Sequence, residues 1–153
     1  MNAIILCGGL STRLGEITKS IPKVLLDIKG KTVLEWQLEK LKAAGINDVV
    51  LAAGHLSDVL KGEVGESFAG ANLFHAVEKE RLGTGGAIKF ALQHVPRPEK
   101  ATIILNGDIL STIDLNDMIK YMREGSEGMI LGAKVDDAAT YGTLDYDENY
   151  RLK

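Results

Sequence analysis

Residues 6–23, LCGGLSTRLGEITKSIPK, have the composition of a phosphate-binding loop. Gly8 and Gly9 follow a short apolar run, so the backbone there can approach a ligand closely and point its N–H groups at phosphate oxygens. Arg13 offers a planar guanidinium that matches two phosphate oxygens, and Lys23 adds a second positive charge held behind a proline. The segment therefore predicts a site for a triphosphate.

A simpler interpretation is that Gly8 and Gly9 only form a tight turn and that Arg13 and Lys23 are solvated. An isolated pair of glycines would be explained in that way. The segment matches neither the Walker loop, which has Lys-Ser/Thr directly after its last glycine, nor the G-x-G-x-x-G spacing of dinucleotide-binding folds. Its place after the first predicted strand, with both basic residues, favours phosphate binding.

The order of apolar runs and amphipathic segments indicates an α/β fold. Buried strands are predicted at 3–7, 48–53 and 102–105, a further apolar run lies at 128–133, and helices are predicted at 33–44, 84–95 and 115–122. Thr84 and Asp114 have the residue types that cap helix N-termini. Helices between short, fully apolar strands argue for a parallel sheet that is covered on both faces. Ligands bind at the carboxyl ends of such strands, where Gly8, Gly9 and Asp108 fall.

Composition limits the possible partners. The 153 residues are 45% hydrophobic and 25% charged, with a net charge of −3, as in an ordinary globular domain. We therefore expect no nucleic-acid or membrane partner, because such partners select a strong excess of Lys and Arg. Cys7 is the single cysteine and reads as a small core residue, and no apolar run is long enough to span a bilayer. We expect a cytoplasmic protein.

Four motifs resemble those of the sugar-1-phosphate nucleotidylyltransferases. The first loop is similar to the family's GGxGTRLxPLTxxxPK. Two places differ: Ser11 stands where glycine is usual, and residues 15–17 differ from the common Arg-Pro-Leu. The matching residues are Gly8, Gly9, Thr12, Arg13, Leu14, Thr18, Pro22 and Lys23. Residues 80–87 resemble E-P-L-G-T-A/G-G with Arg81 in place of proline. Residues 105–110 match the N/G-G-D motif, and residues 141–144 are similar to Y-G-V-V.

This resemblance implies a Rossmann-like three-layer α/β/α fold with a mostly parallel central sheet, and it implies roles for particular residues. Asp108 would bind Mg²⁺, Lys23 and Gly142 would contact the sugar phosphate and the sugar, and Arg13, Lys23 and Asp108 would form the catalytic set. The residues implied to bind the nucleotide are Leu6, Gly8, Gly9, Ser11, Thr12, Arg13, Glu80 and Gly83. Taken singly, a helix start at Gly83, a turn at Asp108 or a strand edge at Gly142 would explain each motif without a ligand.

The implied reaction is nucleotidyl transfer from a nucleoside triphosphate to a sugar 1-phosphate, with release of pyrophosphate. The motifs look most like those of mannose- or heptose-1-phosphate guanylyltransferases, so GTP is the favoured nucleotide. A glucose-1-phosphate uridylyl- or thymidylyltransferase is the alternative enzyme. A non-catalytic paralogue that binds a nucleotide or nucleotide-sugar and regulates an active partner is the alternative from another functional class.

The family's catalytic domain usually runs well beyond the length of this chain. We therefore expect residues 1–153 to be the nucleotide-binding N-terminal part of a nucleotidyltransferase domain whose sugar-binding C-terminal part is missing. A hairpin is predicted from residue 141, with a return strand beginning at Tyr150. An open sheet edge there would favour self-association, so we expect a homo-oligomer and slow or absent turnover.

Overall fold

A computed structural model of the chain describes residues 1–9, 12–139 and 141–153, apart from the side chains of residues 12–14 and 16. The described residues form two compact units, Met1–Asn116 and Asp117–Lys153. Within the described ranges, no helix combines the length and the apolar composition that crossing a membrane requires.

The strands of the first unit build a mostly parallel sheet. In chain order, the strands are β1 (Asn2–Leu6), β2 (Asp27–Ile28), β3 (Lys31–Thr32), β4 (Asp48–Ala53), β5 (Ser67–Phe68), β6 (Ala71–Val77) and β7 (Thr102–Asn106). The main sheet has the order β5-β6-β4-β1-β7, in which β6, β4, β1 and β7 are parallel and β5 is antiparallel. Strands β2 and β3 form a separate antiparallel pair. The three strands predicted from the apolar runs are confirmed to within a residue, and β6 was not predicted.

The helices are α1 (Val33–Ala43), α2 (Ser57–Val64), α3 (Gly83–Leu92) and α4 (Leu115–Tyr121), and 3₁₀ turns cover Thr12–Lys19 and Lys23–Leu25. Helix α1 begins at a capping box. The Thr32 hydroxyl accepts the Glu35 N–H at 3.1 Å, and the Glu35 carboxylate accepts the Thr32 N–H at 2.6 Å. The hydrogen bonds that the Glu35 carboxylate accepts from the Thr32 N–H and from the Thr32 hydroxyl lower the pKa of Glu35. The helix stops before Gly45, whose φ of +72° is the left-handed conformation typical of a C-terminal cap.

The core lies on both faces of the sheet. On one face, Ile4 of β1 and Val50 of β4 pack with Ala91 of α3. The alternate residues of these strands, including Ala3 and Val49, are also fully buried, so the opposite face is covered as well. The predicted α/β class, with a mostly parallel sheet covered on both faces, is confirmed.

The start of α3 differs from the prediction. Thr84 was expected to cap this helix, but the helix begins at Gly83 and its N-cap is Leu82, which has no capping side chain. A carboxylate from outside the helix takes over part of this role, since Glu78 accepts the Leu82 N–H at 3.2 Å. By contrast, Asp114 accepts the Asn116 N–H at 2.8 Å at the start of α4, as predicted.

The second unit holds less regular structure than the sequence suggested. Residues 128–133 are described without a strand, and Ile130 and Leu131 within them are 60% and 59% exposed. The hairpin predicted from residue 141 is reduced to one antiparallel bridge between Tyr146 and Leu152. Its turn is held by Asp147, whose carboxylate accepts backbone N–H groups inside the turn. The turn at Asp147 therefore forms as predicted. The apolar run at 128–133 is exposed, and it forms no strand.

Candidate functional site

A cavity of about 290 Å³ opens at the carboxyl ends of the parallel strands of the first unit. Its wall includes the last residues of β1 and β7 and the residue directly after β6, as expected for an open parallel sheet. The volume is near the lower end of the range for small-molecule sites. The lining residues are Leu6, Cys7, Gly8, Gly9, Lys23, Val24, Ala52, Glu78, Arg81, Gly83, Thr84, Ala87, Asn106, Gly107 and Asp108.

The two glycines after β1 leave open space in this cavity. A Cβ atom on Gly8 would lie 3.6 Å from the Gly54 nitrogen, an ordinary contact, and a Cβ atom on Gly9 would meet no described atom within 4 Å. Neither glycine has the positive φ that favours glycine. The packing of the described residues therefore does not require glycine at either position, and the absent side chains leave room for a ligand against the backbone.

Gly107, in contrast, is required by packing. A Cβ atom there would lie 2.6 Å from the Leu6 carbonyl oxygen and 2.7 Å from Cγ1 of Val24. The Gly107 N–H donates to that same Leu6 oxygen at 2.9 Å. The close approach of the turn after β7 to the end of β1 brings Asp108 to the cavity wall.

Asp108 and Lys23 meet at this wall. The Lys23 ammonium lies 3.2 Å from Oδ2 of Asp108, and the side chains are 26% and 51% exposed, respectively. Lys23 opens the 3₁₀ turn whose next residue, Val24, is buried and anchors the segment. Because exposed ion pairs contribute only about 0–1 kcal/mol, a ligand can replace either partner at small cost.

Among the described side chains of the wall, two cations face two carboxylates. Lys23 and Arg81 carry the positive charges, and Glu78 and Asp108 carry the negative ones. Glu78 was missed by the sequence analysis, because it follows β6, the strand that was not predicted. Its carboxylate accepts only the Leu82 N–H among the described hydrogen bonds, so it retains acceptor capacity toward the cavity.

The structure brings together six of the residues predicted to form the site: Leu6, Gly8, Gly9, Lys23, Gly83 and Asp108. Gly83 has a φ of +68°, which favours glycine. Glu80 is not among the lining residues, and Gly142 belongs to the second unit. Ser11 lies outside the described residues, as do the side chains of Thr12 and Arg13, so their roles stay predictions.

Asp108 is a suitable ligand for a magnesium ion that arrives with phosphates. The part of the chain that the structure describes contains no group of three or more His, Cys, Asp and Glu side chains able to hold a metal. Mg²⁺ commonly binds through one or two carboxylates together with substrate phosphates and keeps several waters. One half-exposed carboxylate at a strand end fits that mode and does not form a cage of its own.

Cys7 also lines the cavity, but its thiol is expected to be unreactive. Although the residue is partly exposed, burial raises the pKa of its thiol to about 12. The thiolate is the reactive form of cysteine, so the thiol of Cys7 is a poor nucleophile at neutral pH. This agrees with the prediction that Cys7 is a small packing residue.

Comparisons with known proteins agree with this geometry. The chain is 41% identical over 148 residues to the D-glycero-alpha-D-manno-heptose 1-phosphate guanylyltransferase of Campylobacter jejuni, an overlap of 97% of this chain and 64% of that protein. It is 35% identical over 150 residues to the mannose-1-phosphate guanyltransferase beta-B of Xenopus laevis, covering 96% of this chain and 42% of that protein. The crystal structure of HddC from Yersinia pseudotuberculosis complexed with GMP-PN superposes with a TM-score of 0.78 at 33% identity, covering 99% of this chain and 67% of that one.

The chain thus spans less than two thirds of the length of these two curated relatives. The family model described as nucleotidyl transferase matches residues 2–153, which is almost the whole sequence. The chain therefore belongs to the nucleotidyl transferase family.

Proposed function

We propose that the cavity binds a nucleoside triphosphate, and that the chain is the nucleotide-binding part of an enzyme that transfers a nucleotidyl group to a sugar 1-phosphate. The observation that carries this proposal is the arrangement of Gly8, Gly9, Lys23 and Asp108 around one cavity at the carboxyl ends of the strands. Backbone amides, an ammonium group and a carboxylate for a hard cation are the groups that a metal-bound triphosphate needs.

Charge supports a magnesium requirement. The described side chains of the wall carry no net charge, because Lys23 and Arg81 balance Glu78 and Asp108. A triphosphate carries roughly four negative charges at neutral pH. Mg²⁺ held by Asp108 and the phosphates would supply the missing positive charge, and Arg13 is expected from the resemblance to add to it.

Guanine is the favoured base. The two curated relatives described above are named as guanylyltransferases. Glu78 gives this preference a chemical basis, since its carboxylate has two acceptor oxygens and guanine presents neighbouring N–H donors on its pairing edge. Uracil and thymine lack such a pair of donors. We therefore propose GTP as the nucleotide and mannose or heptose 1-phosphate as the acceptor class.

The transfer requires positioning more than proton transfer. A phosphate oxygen of the sugar 1-phosphate forms a bond to the α-phosphorus, the bond between that phosphorus and the bridging oxygen breaks, and pyrophosphate leaves with the electron pair. The attacking oxygen is already anionic at pH 7, because the second pKa of a phosphate monoester is about 6. No general base is needed, so Lys23 acts by holding the phosphates and by neutralising their charge. Gly142 remains the proposed contact to the sugar.

A ligand panel and a turnover assay test this proposal. Thermal unfolding is measured with GTP, dTTP, UTP, CTP and ATP, each with Mg²⁺; a ligand at 100 times its Kd stabilises by about 2.7 kcal/mol, and GTP is expected to give the largest shift. Phosphorus NMR then follows GTP with mannose 1-phosphate for a diphosphate-sugar product. Absence of a shift with every nucleotide would refute the nucleotide site. Because the chain is proposed to be the nucleotide-binding part of the enzyme, GTP binding with slow or absent product formation is the expected result, and rapid product formation would contradict that part of the proposal.

A further inference from the structure

Gln37 is a buried polar side chain in the apolar stripe of α1. It is 3% exposed and lies among Leu34, Leu38 and Leu41, which are at most 1% exposed. Burying an amide costs free energy unless it is hydrogen-bonded, so a glutamine at this buried position is expected to have hydrogen-bond partners. Its contacts supply them.

The Gln37 amide holds the turn that carries Asp108. Its Nε2 donates one hydrogen bond to the Asn106 carbonyl and one to the Ile109 carbonyl, both at 2.8 Å. Both hydrogens of the amide are thus used, on residues that immediately bracket Gly107 and Asp108. The opposite orientation of the amide would direct its oxygen at two carbonyl oxygens, so the two acceptors decide the orientation. The Gln37 Oε1 atom is left buried without a hydrogen-bond partner among the described residues.

The turn is fixed from a second side by the end of β1. Gly107 donates to the Leu6 carbonyl at 2.9 Å, and Ile109 donates across the turn to the Asn106 carbonyl at 3.3 Å. The Asp108 side chain itself is half-exposed, and the Lys23 ion pair is its contact in the described structure. The position of the carboxylate is therefore set by its backbone, and the backbone is set by Gln37 and Gly107.

We propose that Gln37 is a positioning residue for Asp108, holding the Asn106–Ile109 turn so that the carboxylate meets the metal-bound triphosphate. This inference rests on the proposed function of the cavity. Gln37 is not among the residues that line the cavity. Gln37 acts by keeping the Asp108 carboxylate in a fixed place. A displacement of that carboxylate weakens the contacts bridged by the metal more than the nucleotide contacts that do not involve it.

The test compares Gln37→Met with Leu41→Val in the 153-residue chain. Methionine keeps the length of the side chain but removes both donors, and Leu41→Val loosens the same buried helix face without removing a hydrogen bond to the turn. GTP affinity is measured by calorimetry with Mg²⁺ and with EDTA, and the ratio of the two affinities is compared. Gln37→Met is expected to lower that ratio about fivefold to tenfold while changing the Mg²⁺-free affinity less than twofold. Leu41→Val is expected to leave the ratio unchanged.

A double variant shows whether Gln37 acts through Asp108. Adding Gln37→Met to Asp108→Asn is expected to cause no further loss of the Mg²⁺ effect, because the carboxylate to be positioned is already gone. An unchanged ratio in Gln37→Met, or an additive loss in the double variant, would overturn the proposal.

A ligand-free readout separates this proposal from the proposed function. Amide hydrogen exchange at Gly107 and Ile109, followed by NMR, is expected to accelerate at least tenfold in Gln37→Met relative to Leu41→Val. If the parent chain shows no Mg²⁺-dependent GTP binding, the function proposed for the cavity fails, and the exchange comparison still decides whether Gln37 holds the turn. Equal exchange in the two variants would overturn the role of Gln37 even if GTP binds as expected.

Discussion

The Lys23 ammonium lies 3.2 Å from the Asp108 carboxylate, although the two residues are 85 positions apart in the chain. One residue comes from the turn after the first loop, and the other from the turn after β7. In the ligand-free protein each group neutralises the other. In the proposed function, a metal-bound triphosphate would offer both of them new partners, phosphate oxygens for Lys23 and the cation for Asp108. Nucleotide binding on this account exchanges one weak ion pair for two ligand contacts.

Removing the Lys23 charge should weaken nucleotide binding and should strengthen metal binding by Asp108. Lys23→Met is expected to weaken GTP binding by one to two orders of magnitude, because charge-assisted hydrogen bonds contribute roughly 1.5–3 kcal/mol. Without nucleotide, the freed Asp108 should bind Mn²⁺ more tightly than in the parent, measured by electron paramagnetic resonance. Lys31→Met is the control, because Lys31 pairs with Glu39 outside the cavity. Unchanged affinities for both GTP and Mn²⁺ would show that Lys23 is not part of the site.

Two glycine variants should behave in opposite ways. Gly9→Ala is expected to leave the free energy of unfolding nearly unchanged and to weaken GTP binding at least tenfold, because the new methyl group enters space that no described atom occupies within 4 Å and that the proposed ligand would fill. Gly107→Ala is expected to destabilise the fold by about 1–3 kcal/mol, because its Cβ atom would overlap the Leu6 carbonyl. Denaturant unfolding and calorimetry measure both quantities. Normal GTP binding by a stable Gly9→Ala variant would contradict the assignment of the loop.

Glu78 should contribute to base selection. Glu78→Gln replaces one acceptor by a donor, so GTP affinity is expected to fall about tenfold to a hundredfold, while UTP affinity stays the same or rises. Glu63→Gln, at an exposed position on α2, controls for the lost charge. Competition titrations of GTP against UTP give the ratio directly. An equal loss for both nucleotides would remove Glu78 from base recognition.

Cys7 should resist alkylation. Since burial raises the pKa of its thiol to about 12, roughly one molecule in ten thousand carries the thiolate at pH 8. The raised pKa means that the folded state favours the protonated thiol, so this contribution to stability is complete below the pKa of the unfolded chain and is lost as the pH rises toward 12. Mass spectrometry with iodoacetamide should show slow labelling of the native protein at pH 8 and fast labelling after denaturation. Equally fast labelling in both states would contradict the burial of the thiol.

The sequence predicted the parts of the fold that depend on local pattern. Strands β1, β4 and β7 are uninterrupted or nearly uninterrupted apolar runs, and the helix predicted at 33–44 matches α1 to within a residue. Strand β6 was missed because Asn72 and His75 interrupt its pattern. Long-range contacts were beyond the reach of local rules. The contacts of Gln37 with the Asp108 turn are an example, because they join residues 69 and 72 positions apart and have no signature in spacing.

The same distinction applies to the site. The glycines, Lys23 and Asp108 were identified from motifs. The glycines and Asp108 come together because they follow the carboxyl ends of the neighbouring parallel strands β1 and β7, and Lys23 joins them through its ion pair with Asp108. The residue that the sequence analysis overlooked, Glu78, required β6 to be recognised first. Arg13 is placed in the site by the motif alone.

The most direct test of this account is a calorimetric titration of GTP into the parent chain and into Asp108→Asn, each with Mg²⁺ and with EDTA. Asparagine keeps the shape and turn preference of Asp108 but removes its charge, so folding should be nearly unchanged. The account predicts that Mg²⁺ tightens GTP binding by the parent at least tenfold and has little effect on the variant. An equal Mg²⁺ effect in both proteins, or no GTP binding by a folded parent, would contradict it.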